Sequence, residues 1–172
     1  MRGSTHIILG VMAGVTAHKH LHLEINEISW FPLLVGSIAP DIDEERSKAA
    51  NAGSFLSSLL PRWLVSVVNL CSRTVSSIVK AVLGHRGFLH WPVVGIALIY
   101  FGLALDLKPL LWFGIGYLIH ILADACTVGG VPLLAPIYTR PIRWSPIRTG
   151  SILESVFAVM CVGYLIYSEL WK

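Results

Sequence analysis

The chain has 172 residues, of which 55% are hydrophobic and 13% charged, with a mean hydropathy of +0.70 and a formal net charge of +3. An ordinary soluble domain carries about 25% charged residues, so the composition excludes that class and points to one membrane-embedded domain over residues 1–172. The basic residues are scattered or gathered near segment ends, which suits a positive-inside pattern better than nucleic-acid binding, and Cys71, Cys126 and Cys161, with no CxxC pair, read as reduced small residues rather than a disulfide framework.

The first apolar segment covers residues 5–17 and opens with Thr5-His6. Arg2, the apolar run 7–15 and Val15-Thr16-Ala17 also fit a cleavable signal sequence loosely; cleavage would discard His6, so a site that uses His6 requires this segment to be retained. A polar link, 18–24, carries His18, His20 and His22, and reads as a solvated loop. The second segment, 28–39, ends at Pro40-Asp41. Both segments are shorter than the roughly 20 residues a full crossing needs, so each is extended by its neighbours or is a half-span buried in protein.

Residues 41–54 form an acidic, polar loop. Over 61–83 apolar residues recur at helical spacing, from Leu60, Trp63, Leu64 and Val67 on to Val82. Arg62, Arg73 and Lys80 share one face, and Gly84 supplies a stop. An apolar face beside a basic stripe fits a helix lying in the membrane interface, and equally an amphipathic helix packed on the rest of the protein. The third segment, 92–105, begins with Pro92; a tight connection, Asp106 to Pro109, leads to the fourth, 110–125. A Gly/Pro loop over 127–136 is apolar yet broken, and should line a cavity or dip into the interface. The last span covers 152–170. The expected fold is therefore an all-α integral membrane protein with about five apolar helical segments plus one interfacial amphipathic helix.

If the segments alternate across a bilayer, seven candidate metal ligands fall on one side: His6, Asp41, Asp43, His85, His90, His120 and Asp124. That side also holds ten of the thirteen Lys and Arg residues, leaving only Lys19, Lys108 and Lys172 opposite, so it should face the cytoplasm. Ionisable residues bordering apolar segments are costly and mark functional sites by default.

His120 and Asp124 are the sharpest local signal, because positions i and i+4 lie on one helical face and can converge on one ion; alone, the pair reads as readily as a hydrogen-bonded couple in a helix core. On a helix His85 and His90 would point about 140° apart, so Gly87 and Trp91-Pro92 argue for a turn that aims both rings at one place. If residues 41–43 are extended, Asp41 and Asp43 face the same way and can bridge divalent ions. The bland alternative has Asp41 capping a helix and Asp43 opening the acidic run. Arg86 is placed to clamp an anionic group, and Arg140 and Arg143 can either do the same or serve as positive-inside anchors. Mixed His and Asp ligands suit zinc, with manganese as a second choice. Glu154, inside the last span, supports a ligand or faces a cavity.

Thr5-His6, the Gly36 to Asp43 stretch with Pro-Asp-x-Asp, His85-Arg86-Gly87-x-x-His90, His120-x-x-x-Asp124 and the Gly/Pro loop follow one another in an order that resembles the YdjM-like family of inner-membrane metal-dependent hydrolases. More distantly the pattern is similar to the all-helical zinc-dependent phospholipase C and P1-type nuclease group. The likeness implies phosphoester hydrolysis at two or three zinc ions. Two departures, the lack of a second His-x-x-x-Glu pair and Met rather than Trp at position 1, reduce that to one or two ions.

The resulting expectation is a multi-pass inner-membrane hydrolase acting at the cytoplasmic face on a phosphoester of a lipid or lipid-linked substrate, with membrane lipid as its surroundings and no nucleic-acid partner. Asp43 would be a ligand or the base that orients water, and Arg86 the anion clamp. The competing expectations are a divalent-ion transporter, which mid-span ionisable residues would favour, and a non-catalytic membrane protein.

Overall fold

A computed structural model describes residues 1–43, 61–83 and 88–170. Six α-helices stand among the described residues: α1 (Gly3–Leu21), α2 (Glu27–Gly36), α3 (Arg62–Leu83), α4 (Pro92–Ala104), α5 (Lys108–Ala125) and α6 (Ile152–Leu170). Two short 3-10 helices, Ala39–Asp43 and Phe88–His90, lead into and out of the part that carries the site. No β-strand occurs among the described residues; the loop after α5 is held instead by the isolated bridges Thr127 to Ile147, Val131 to Ile142 and Leu134 to Tyr138.

Helix α5 is the hub, with ten buried residues and apolar side chains turned towards each neighbouring helix. Ile119 and Ala123 pack with Leu9 of α1 and with Cys161 and Phe157 of α6. Tyr117, Ile121 and Ala125 face Val94 and Leu98 of α4 and close over Val131 of the loop. Trp112 and Ile115 meet Leu33 of α2 and Ala17 of α1. The Gly/Pro loop thus folds back onto α5, with Val131 fully buried.

Glycine sets the closest of these approaches. A Cβ on Gly36 would lie 2.2 Å from the Phe113 carbonyl oxygen, and one on Gly116 would lie 2.1 Å from that of Leu33. Only hydrogen fits at either place, so α2 and α5 touch backbone to backbone, as small residues allow between membrane helices. That contact has a consequence for the site, because Ser37 follows Gly36 and His120 lies one turn after Gly116.

Several boundaries differ from expectation. The polar link 18–24 is helical as far as Leu21, and α1 ends at His22, which adopts a left-handed φ of 53°. The second segment stops at Gly36 and continues as a 3-10 helix, so residues 41–43 are not extended. Of the described helices, α6 alone is long and apolar enough to cross a membrane; α4 is apolar but has 13 residues. Five full crossings are therefore not what these helix lengths and compositions supply. The outer faces of α4 and α6 are nonetheless apolar: Ile96, Tyr100, Phe101 and Leu103 on one, Val159, Met160, Ile166 and Tyr167 on the other are exposed. Such contiguous apolar surface suits lipid rather than water.

Candidate metal centre

Four elements converge at one end of α5. Helix α1 brings His6 on its first turn, the 3-10 helix Ala39–Asp43 brings Asp41, the 3-10 helix Phe88–His90 ends on His90, and the last turns of α5 carry His120 and Asp124. Asp41, His90, His120 and Asp124 each offer a ligand atom, and the four atoms all lie within 4.8 Å of one another. All but Asp41 are buried, and Asp41 is half-buried.

His120 is held from behind. Its Nδ1 is 2.9 Å from the Ser37 carbonyl oxygen, a contact the α2–α5 backbone approach makes possible. A carbonyl can only accept, so Nδ1 carries the proton and Nε2 presents a lone pair, the usual arrangement of a metal-ligating histidine. That Nε2 is fully buried without a hydrogen-bond partner, 3.5 Å from Asp41 Oδ1 and 3.9 Å from Asp124 Oδ2. A buried imidazole nitrogen left unpaired costs free energy. A cation placed between it and the two carboxylates removes that cost.

His6 joins from α1. Its ring stacks on that of His120 at 3.8 Å between centroids and 15° between planes, and its Nε2 is 3.3 Å from Asp124 Oδ1. The His6 Nδ1 is buried and has no hydrogen-bond partner. The His90 ring meets His120 edge-on at 5.6 Å. Asp124 also accepts from the Met1 amino group. For Asp41, burial acts to raise the carboxyl pKa, but the His120 imidazole 3.5 Å away outweighs burial and holds it below the ordinary value. The donor set of imidazole nitrogens and carboxylate oxygens fits a divalent metal ion.

Of the seven expected ligands, five come together: His6, Asp41, His90, His120 and Asp124. Asp43 closes the 3-10 helix, so the extended stretch expected over 41–43 is not formed. His85 and Arg86 lie outside the described residues. His18, His20 and His22 sit at the far end of α1, exposed and about 18 Å or more along the helix from His6.

One support escaped reading from sequence, and a second was read there without its partners. The Ser37 carbonyl has no signature, being backbone. Glu154 is fully buried in the first turn of α6; it accepts from Thr5 Oγ1 at 2.9 Å, from the Arg2 amide and from the Gly150 amide. It ties the start of α1, and so His6, to the last helix. Its place inside an apolar span hinted at a buried role without naming the partners. The turn before α4 has its own tether, a hydrogen bond donated by the Tyr117 hydroxyl to the Leu89 carbonyl beside His90.

Residues 1–171 match the YdjM inner membrane protein family. Among curated proteins, the chain is similar to inner membrane protein YdjM of Escherichia coli (strain K12) and of Shigella flexneri. Each is 29% identical over 183 residues, with 98% of this chain and 81% of the relative covered. No solved structure matches.

Proposed function

The chain belongs to the YdjM inner membrane protein family, and from that premise we propose that it is a membrane-embedded, metal-dependent hydrolase cleaving a phosphoester of a lipid or lipid-linked substrate. The observation that carries the reading is the buried His120 Nε2, lacking a hydrogen-bond partner and aimed between the carboxylates of Asp41 and Asp124. Asp41, His90, His120 and Asp124 would hold one divalent ion, with His6 completing that site or bridging to a second. Such an ion supplies Lewis acidity, bringing the pKa of water it binds to about 7 and polarising an ester oxygen.

The chain's own groups do the rest. The Ser37 carbonyl keeps His120 in the tautomer that offers Nε2. Asp41 is the half-buried member of the cluster, and its ionised carboxylate can take up a proton from attacking water or share the cation. Asp43 and Arg86 are assigned the water-orienting and phosphate-clamping roles from their positions in sequence. A site at the cytoplasmic face of the inner membrane is read from the sequence alone, where ten of the thirteen basic residues are assigned to the side of the cluster.

The test is direct. Protein purified in detergent is analysed for bound zinc and manganese, then assayed for cleavage of phospholipid and of a soluble phosphomonoester, beside His120→Ala. Metal and metal-dependent hydrolysis in the wild type, both lost in the variant, support the proposal. Unchanged metal content and activity in the variant remove it, and ion flux in liposomes without hydrolysis would assign the cluster to transport.

A further inference from the structure

Helix α3 presents an apolar strip that nothing described covers. Trp63, Val67 and Leu70 are 69%, 48% and 68% exposed. Their spacing confines them to an arc of about 60° on the helix. The opposite side, with Leu64, Val65 and Val68, is half-buried. Arg62 and Arg73 are exposed on the line beside the strip, about 20° apart. A strip containing Trp next to a line of arginines is complementary to one surface: an anionic lipid leaflet, with the apolar side chains among acyl chains and the guanidinium groups at headgroup phosphates.

We propose that α3 lies on the cytoplasmic leaflet and binds anionic phospholipid through Arg62 and Arg73 while its Trp63, Val67 and Leu70 strip enters the hydrocarbon boundary. The helix has a second attachment. It packs against the 3-10 helix Ala39–Asp43, which carries Asp41. Lipid on one side of α3 and the Asp41 turn on the other make the helix a link between headgroup charge and one wall of the cluster. This inference stands whether or not the cluster hydrolyses anything, and its test needs no activity.

Cys71 provides the reporter, being exposed beside the strip, about 40° round from Val67. The full chain, with Cys126→Ser and Cys161→Ala, is spin-labelled at Cys71 and reconstituted in nanodiscs of phosphatidylcholine, with or without phosphatidylglycerol. Collision with oxygen, which concentrates in lipid, is compared with collision with a water-soluble nickel chelate. The expected result is a label shielded from nickel in the anionic discs. The shielded-to-exposed ratio should fall about fivefold for each arginine neutralised in Arg62→Gln and Arg73→Gln. Circular dichroism confirms that the variants keep their helices. A label equally open to nickel in anionic and zwitterionic discs overturns the proposal. So does shielding indifferent to both lipid charge and arginine replacement, or shielding that appears only with two copies per disc, which would mean a protein covers the strip.

Discussion

Replacing Gly116 with alanine tests how the cluster is built without touching any residue in it. The added Cβ would sit 2.1 Å from the Leu33 carbonyl oxygen and 2.9 Å from the Ser37 amide nitrogen. Ordinary contact begins near 3.4 Å, so α2 and α5 must part by about 1.3 Å, an overpacking that costs about 1–3 kcal/mol. The Ser37 carbonyl moves with α2. Its 2.9 Å contact with His120 Nδ1 then opens to about 4 Å, beyond hydrogen bonding. The ring loses the partner that fixes its tautomer and aim, and losses of this kind weaken metal binding about 10–100-fold. The assay is competition with a chromophoric chelator for zinc, on detergent-purified protein whose helix content is checked by circular dichroism. Gly163→Ala is the control, since a Cβ there meets nothing within 4 Å. A helical Gly116→Ala protein that binds zinc with wild-type affinity would show that the Ser37 contact does not prepare His120, and the account of the site would fail at its base.

Glu154→Gln keeps the size but removes the charge and one acceptor oxygen from a group that serves Thr5 and the Arg2 and Gly150 amides; a stability loss of about 1–3 kcal/mol is expected, read by thermal unfolding in detergent. Because Asp41 is held below its ordinary pKa, its contribution in the metal-free protein is complete above about pH 4 and disappears as pH falls through the lower folded value. Asp41→Asn should therefore flatten the acid limb of the stability profile while leaving its neutral part parallel to wild type; an unchanged acid limb would count against the Asp41–His120 interaction. Zinc at a hundredfold excess over its dissociation constant should stabilise the protein by about 2.7 kcal/mol, and a chelator should reverse the gain; identical melting with and without zinc would show that no specific site forms.

How much could be foreseen varied with how local the cause was. His120 and Asp124 were legible because one helix fixes their relation, whatever else the chain does. His6 and Asp41 could be linked to them only by assigning chain ends to one side, and the structure brings both to the cluster, by stacking and by carboxylate contact. What failed was conformation at segment ends. Ala-Pro-Asp-Ile-Asp is compatible with extended chain or a tight turn, and the 3-10 form is adopted where that stretch packs between α2, α3 and α5. The histidines at 18, 20 and 22 read as loop by polarity, yet α1 carries 18 and 20 in its last turns because exposed polar residues do not break a helix. The glycines of α2 and α5 were visible in the sequence, but nothing in it says that Gly36 meets Phe113 or that Gly116 meets Leu33.

The carboxylate of Glu154 reaches back across 149 residues to Thr5. A nascent chain that has made α1, α2 and α5 still lacks the fastening that seats His6, since its counterpart is synthesised near the end. The seating of His6 is therefore completed only when α6 has been made, so a chain cut before Ile152 would leave Thr5 and the Arg2 amide without this acceptor.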